Sequence, residues 1–149
     1  MTSQPGDLSS QSTAAPAVIL LVDDDLDVLQ LTGGFLRDFG YTVLEAQSAF
    51  EGALVSAQCQ GRIDLLLTDL DLGSNLGTDL ASLLLVMKPS LKVLVVSGQN
   101  GLENTLSVGN QQFPCLGKPF TRRELQQRIT EVLGRSTSPS PSQPSSENY

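Results

Sequence analysis

The chain has 149 residues, of which 40% are hydrophobic and 17% charged, and its formal net charge is −7. That length is enough for one domain with a sizeable core, whereas the acidic charge argues against non-specific nucleic-acid binding, which needs a basic face. The longest apolar runs are about six residues, and a membrane-spanning helix needs about 20. The N-terminus lacks the basic and apolar regions of a secretory signal. We therefore expect a cytoplasmic protein that contacts neither nucleic acid nor membrane.

The sequence contains no histidine and only two cysteines, Cys59 and Cys115. Two scattered cysteines are too few for a disulfide framework or a zinc site. The lack of histidine excludes a Ser-His-Asp triad, a histidine metal ligand and a phosphohistidine in this chain. Any chemistry must therefore use carboxylates, hydroxyls, lysine or a bound metal.

Both ends of the chain are of low complexity. Residues 1–16 and 135–149 are rich in Ser, Pro, Gln and Thr. They carry too little apolar surface to offset the entropy lost on ordering, so we predict that both are disordered. One folded domain is predicted between them, over residues 17–134.

Apolar runs recur about every 20–25 residues along the predicted domain and indicate five strands. They are AVILLV (17–22), YTVLEA (41–46), IDLLLT (63–68), LKVLVV (91–96) and FPCLG (113–117). The first, third and fourth runs are nearly continuous rather than alternating, which is typical of strands buried on both faces in a parallel sheet.

Helical patterns lie between these runs. The segments 48–51 and 121–124 read as capping boxes that open helices, and 26–39 and 77–87 carry apolar residues at helical spacing. The segment 99–110 is the weakest helix candidate, because it contains two glycines and three asparagines. Strict alternation of strands and helices predicts an α/β fold: a five-stranded parallel sheet with helices on both faces.

Polar residues follow four of the five runs, where ligands bind in such sheets. They are Asp23, Asp24 and Asp25 after the first run, Asp69 and Asp71 after the third, Ser97 after the fourth and Lys118 after the fifth. Each has an ordinary explanation as a turn residue, a helix cap or a first-turn acid. Their occurrence at one edge of the sheet favours a shared site.

This set of residue types suits phosphoryl transfer. Crowded carboxylates repel one another and favour a hard divalent cation such as Mg²⁺, which takes oxygen ligands. A bound cation lets a phosphate approach an acidic site, and a carboxylate can attack phosphorus to give an aspartyl phosphate. Asp69, Lys118 and Ser97 supply the carboxylate, the ammonium and the hydroxyl that such a reaction needs.

Four motifs, in this order, resemble the receiver domain of two-component response regulators. They are ILLVDDD (19–25), IDLLLTDLDLGSNLG (63–77), VLVVSG (93–98) and LGKPF (116–120). The resemblance covers roughly residues 17–134 and extends to chemotaxis regulators and to the receivers of hybrid histidine kinases. It implies a (βα)5 flavodoxin-like fold that works in phosphorelay signalling.

The resemblance also implies roles for single residues. Asp69 falls on the phosphoacceptor aspartate, and Asp23 and Asp24 fall on the acidic pair that organises Mg²⁺, with Asp24 as the direct ligand. Asp71 falls where the family's backbone carbonyl reaches the metal. Ser97 and Lys118, at the next strand ends, fall on the hydroxyl and the lysine that contact the phosphoryl group.

The family takes its phosphoryl group from a phosphohistidine of a histidine kinase or phosphotransfer protein, which suits a chain without histidine. It implies catalysis only of the chain's own phosphorylation and dephosphorylation, an unknown downstream protein target, and a monomer or weak dimer. Two positions depart from the family pattern. Leu72 and Gly73 stand where Met-Pro is common, and Cys115 stands at the aromatic switch position.

Two other functions remain open. The stretch DLDLG (69–73) is similar to the DxDx(T/V) loop of haloacid-dehalogenase-like phosphohydrolases, although that family begins with this loop and ends with its acidic pair. A degenerate receiver that serves only as a protein-interaction module is the second alternative, although all of its site positions carry suitable residues.

Overall fold

The computed structural model describes residues 16–59, 61–73, 75–98, 105–108 and 110–134. The terminal segments predicted to be disordered lie outside these ranges, apart from Pro16. Within the described part of the chain, no helix is long and apolar enough to cross a membrane.

The described residues form twelve elements of secondary structure. They are β1 (Val18–Val22), α1 (Leu26–Asp38), β2 (Thr42–Ala46), α2 (Ala49–Gln58), β3 (Leu65–Asp69), β4 (Asp71–Leu72), β5 (Asn75–Leu76), α3 (Gly77–Met87), β6 (Lys92–Ser97), β7 (Thr105–Val108), β8 (Gln111–Gly117) and α4 (Arg122–Leu133).

Six strands form the main sheet, in the order β2-β1-β3-β6-β8-β7. All neighbours are parallel except β7, which runs antiparallel to β8. The five predicted strands are therefore present and parallel, and the α/β prediction is confirmed. A separate two-stranded ribbon, β4 with β5, lies between β3 and α3.

The prediction of a helix over 99–110 is wrong where the structure describes that segment. Residues 105–108 form β7, whereas 99–104 and 109 lie outside the described ranges. The stretch Thr-Leu-Ser-Val suits a pleated strand, and the dipeptide at 109–110, Gly-Asn, is typical of a tight hairpin turn. The sheet thus has an antiparallel edge strand in the interval where alternation predicted a helix.

The continuous apolar runs explain why the sheet is buried on both faces. Leu20 and Val22 pack into the cluster that contains α2 and α3, while Ile19 and Leu21 pack into the cluster of α1 and α4. Successive strand residues point to opposite faces, so a strand without polar residues requires a helix layer on each side. This arrangement makes β1 and β3 rigid supports for whatever follows them.

The predicted capping boxes are confirmed in one case and partly in the other. Thr121 accepts from the Glu124 backbone N–H, and the Glu124 side chain accepts from the Thr121 N–H. Ser48 likewise accepts from the Glu51 N–H. The Glu51 carboxylate, however, accepts from the N–H of Gln47, so its reciprocal bond goes one residue beyond the expected cap.

Gly77 allows α3 to begin directly against the end of β3. A Cβ at this position would overlap the Asp69 carbonyl oxygen and lie 2.9 Å from the Thr68 hydroxyl oxygen. The Gly77 N–H donates to the Leu70 carbonyl at 2.7 Å. The missing side chain therefore lets a helix pack onto the backbone that carries Asp69.

We expect Gly77→Ala to lower the free energy of unfolding by about 2–3 kcal/mol, since overpacking against fixed backbone cannot be relieved locally. Gly34→Ala is the matched control in α1, because nothing lies within 4 Å of its added Cβ. That variant should gain about 0.5–1 kcal/mol from helix propensity. Urea unfolding of both variants measures the difference, and equal effects would contradict the packing role of Gly77.

Candidate functional site

The carboxyl ends of β1, β3 and β8 bring three charged side chains together. The Lys118 ammonium lies 3.5 Å from an Asp69 carboxylate oxygen and 3.9 Å from one of Asp23. Asp23 and Asp69 are largely buried side chains, and Lys118 is about one-third exposed. The structure therefore places one cation against two carboxylates at the predicted edge of the sheet.

The three consecutive aspartates after β1 have separate roles. Asp25 is the N-cap of α1, and its carboxylate accepts from the N–H groups of Asp27 and Val28. Asp23 accepts from the Asp25 N–H at 2.9 Å, which fixes its carboxylate below the turn. Asp24 is exposed and belongs with Asp23 to the acidic group described next. Of the three aspartates, therefore, only Asp25 has the ordinary role of a helix cap.

Three carboxylates form a group that a metal ion could bridge. One oxygen each of Asp23, Asp24 and Asp69 lies within 4.8 Å of the others. Because all donors are carboxylate oxygens, the group fits a hard divalent cation better than a soft one. The residues present therefore fit the metal that the acidic cluster implies.

Burial raises the pKa of both Asp23 and Asp69 above its usual range. Removal from water is the largest cause in each case. For Asp69, the Lys118 ammonium acts in the opposite direction, and the neighbouring Asp23 charge raises the pKa further. Ionising both carboxylates therefore costs free energy in this site unless further positive charge approaches them.

Ser97 and Lys118 face Asp69 across a cleft of about 360 Å³. Its lining residues are Asp69, Leu70, Asp71, Ser97, Gly98 and Lys118. Ser97 is buried, and its carbonyl accepts the Lys118 N–H at 2.9 Å. This bond holds the last residue of β6 beside the lysine, so that hydroxyl, ammonium and carboxylate border one space.

Asp71 also borders this cleft, but its carboxylate has a local partner. One of its oxygens accepts the Gly73 N–H at 3.2 Å, and Gly73 has a left-handed φ of 77°. The Asp71 carboxylate is not part of the three-carboxylate group, and the predicted contact of its backbone carbonyl with a metal stays a prediction. The side chain closes a turn in the β4–β5 ribbon.

Thr68 and Gly77 position Asp69, although neither is among the polar residues that follow the predicted strands. The Thr68 hydroxyl is buried and donates to the Asp69 carbonyl at 3.0 Å. Gly77 brings α3 against the same carbonyl. A glycine at the first residue of a helix, where it is less favourable than alanine, is the one sequence signal of this close approach between backbones.

A parallel sheet with an acidic group, a lysine and a serine at its carboxyl edge defines the receiver class of proteins. The family model for the response regulator receiver domain matches residues 19–130. The chain belongs to the receiver-domain family of two-component response regulators.

Curated relatives and solved structures agree with this assignment. The chain is 31% identical over 122 residues to the transcriptional regulatory protein GlrR of Escherichia coli, covering 81% of this chain and 27% of that protein. It is 30% identical over 120 residues to the sensor kinase CckA of Brucella abortus, covering 78% of this chain and 12% of that kinase. It thus spans only about a quarter or less of these relatives.

The fold matches a solved receiver domain from Clostridium thermocellum with a TM-score of 0.68 and 30% sequence identity. This match covers 80% of the present chain and 95% of the other. These matches support the assignment to the receiver-domain family, and none of them favours the phosphohydrolase alternative.

The raised pKa values predict how the metal-free protein responds to pH. The folded state keeps a proton on Asp69 at pH values where the unfolded chain, with its ordinary pKa of 3.8, has already lost it. Stability therefore falls as pH rises from about 4 through the raised value. We expect Asp69→Asn to be more stable than the wild type by about 1–2 kcal/mol at pH 7, because the neutral amide avoids the cost of a poorly solvated charge.

The measurement is urea unfolding in a chelator between about pH 4 and pH 7.5. The stability difference between Asp69→Asn and the wild type should shrink as the pH is lowered, because the wild-type carboxyl then takes up its proton and loses its charge. A constant difference would show that folding does not change the pKa of Asp69, and a difference that grows toward low pH would show that the folded state favours the ionised form; either result contradicts the prediction.

Proposed function

We propose that this receiver domain accepts a phosphoryl group on Asp69 from a phosphohistidine of a histidine kinase or phosphotransfer protein. The observation that carries the proposal is the 3.5 Å contact between the Asp69 carboxylate and the Lys118 ammonium at an open cleft. A carboxylate needs access to attack phosphorus, and it needs a cation nearby to offset the arriving negative charge. Asp69 has both.

The metal in this proposal is Mg²⁺, held by Asp24, Asp69 and the Asp71 backbone carbonyl, with Asp23 acting through water. When bound, it neutralises the carboxylate cluster and polarises the phosphoryl oxygens. The donor set supports this choice, because three carboxylates lie within bridging distance. The raised pKa values of Asp23 and Asp69 support it too, since a site that disfavours its own charge gains from a cation.

The residues of this chain perform the transfer by position and charge. An Asp69 carboxylate oxygen bonds to phosphorus while the bond from phosphorus to the donor imidazole breaks, and the imidazole keeps that electron pair. Lys118 stabilises the charge on the equatorial oxygens, and the Ser97 hydroxyl donates to one of them. Hydrolysis of the aspartyl phosphate by water then restores the free carboxylate.

The chain catalyses only its own phosphorylation and dephosphorylation in this proposal. It acts in the cytoplasm as a monomer or weak dimer, through one folded domain of residues 17–134, and signals to a downstream protein. Because the chain spans about a quarter or less of the relatives named above, the output functions of those proteins are not assigned to it.

The conformational signal must work without an aromatic ring at position 115. Cys115 is buried, and its carbonyl accepts from the Arg128 guanidinium at 3.1 Å. Because the cysteine side chain is small, its movement between buried and exposed positions would change the exposed area much less than the movement of an aromatic ring. The loops after Asp69 and Ser97 therefore carry more of the change than position 115 does.

We expect Asp69→Asn to abolish labelling by acetyl phosphate in Mg²⁺, because the amide cannot form the acyl phosphate. Intact-mass spectrometry measures the gain of one phosphoryl group in the wild type. Asp71→Asn is the matched control, since it removes a carboxylate from the same cleft and should still label.

The variant Asp24→Asn tests the metal site separately from the phosphoacceptor. It should raise the Mg²⁺ concentration needed for half-maximal labelling by about tenfold or more, because it removes one charged ligand. Undiminished labelling of Asp69→Asn would disprove the phosphoacceptor assignment. An unchanged Mg²⁺ requirement in Asp24→Asn would place the metal elsewhere.

We expect Asp71→Asn to lengthen the half-life of the phosphorylated protein by about tenfold. A carboxylate beside Asp69 can orient the attacking water, and its existing bond to Gly73 keeps the effect below the 100-fold or more of a fully positioned base. The asparagine oxygen can still accept that bond, so the change tests charge and not turn geometry. The half-life is measured by the release of inorganic phosphate. A half-life that is unchanged or shorter in Asp71→Asn would rule out this role.

A further inference from the structure

The β7–β8 hairpin ends the main sheet on a strand that carries no charge. β7 is the last strand of the sheet, and within the described residues no strand lies along its outer edge. Residues 104–117 contain no Asp, Glu, Lys or Arg, in a chain with 17% charged residues. Proteins commonly protect an edge strand with charges or proline, and β7 has neither.

The register of the hairpin fixes which backbone groups of β7 face outward. Thr105 lies opposite Pro114, Leu106 opposite Phe113, and Val108 opposite Gln111. Hydrogen-bonded and non-hydrogen-bonded pairs alternate in an antiparallel ladder, and Pro114 has no N–H to exchange. The Leu106 and Val108 pairs are therefore the bonded ones.

The N–H and C=O groups of Thr105 and Ser107 consequently point away from β8. Both residues are exposed, as is Val108 at 38%. Leu106 is half-buried and packs against the core cluster of α2 and α3. The outer edge of β7 thus offers two residues' donors and acceptors beside one apolar side chain.

We infer that β7 pairs with β7 of a second copy of this chain, antiparallel about a two-fold axis. In the register that uses every outward group, Thr105 lies opposite Ser107 of the second copy and Ser107 opposite Thr105. Each of these pairs exchanges both of its N–H···O bonds. The two Leu106 side chains then face one another on the axis and extend the existing core.

The choice of a second copy rests on charge and on symmetry. Two chains of net charge −7 repel one another over most of their surfaces, but an uncharged strand meets its own copy without repulsion. A two-fold axis makes the contact isologous, so both copies satisfy the same groups and the assembly closes as a dimer.

The contact is small, so the dimer is weak. β7 has four residues, and their pairing buries much less than the ~1,200 Å² at the low end of stable interfaces. Sedimentation of the full chain should therefore show a mass rising from 15.9 kDa toward twice that value. The informative concentration range is about 10 µM to about 1 mM, as expected for so small an interface.

Ser107→Pro is the decisive variant. It removes an outward N–H and leaves the bonds of Leu106 and Val108 to β8 in place, which is the position where an edge strand tolerates proline. The variant should lose the concentration-dependent mass increase. Ser107→Thr is its matched control, because it keeps the N–H and favours the strand, and it should dimerise at least as well as the wild type.

Amide hydrogen exchange on the wild type gives a second test that does not depend on the folding of a variant. Exchange at Thr105 and Ser107 should slow by about tenfold or more as concentration rises, because only these amides become bonded across the axis. Exchange at Leu106 and Val108 should not change.

Several results would overturn the proposal. They are a wild type that stays monomeric to 1 mM, a Ser107→Pro variant that dimerises as the wild type does, or concentration-dependent protection on α3 in place of β7. Protection of Thr105 and Ser107 at every concentration would also overturn it, since a segment of the same chain would then cover the edge.

Discussion

The burial of two carboxylates beside one lysine is the constraint on which the site depends. Asp23 and Asp69 are largely removed from water, and this burial is the main reason for their raised pKa values. Lys118 and the Asp25 backbone N–H offset part of the cost. A like-charged pair stays in such a place only if the backbone beneath it cannot move away.

That rigid backbone comes from the apolar strands. β1 and β3 lie side by side in the sheet centre and are buried on both faces, so Asp23 and Asp69 emerge from neighbouring strands at fixed separation. Gly77 and the Thr68 hydroxyl hold the Asp69 carbonyl from the other side. The leucines before Asp69 thus stabilise the core, and through it they fix the spacing of the charged groups.

The sequence predicted the strands and the shared edge well, because both depend on patterns that span the whole chain. Continuous apolar runs identify buried parallel strands, and parallel strands bring their ends to one edge whatever the helices do. The prediction of a helix over 99–110 was wrong because it extended the alternation of strands and helices across a segment whose own residues favour a hairpin. The orientation of Asp71 and the bond from Gln47 to Glu51 depend on single turns, which periodicity does not encode.

The hairpin in that interval also changes how a signal can leave the site. β8 pairs with β7 over Gln111–Pro114 and with β6 over Cys115–Gly117, and Pro114, which lacks an N–H, stands at the division. Lys118 follows directly and is bonded through its N–H to Ser97. A shift of Ser97 or Lys118 therefore acts first on the three residues that join β8 to β6. Because the Arg128 guanidinium donates to the carbonyl of Cys115, such a shift would reach α4 through this bond from side chain to backbone and would need no moving ring.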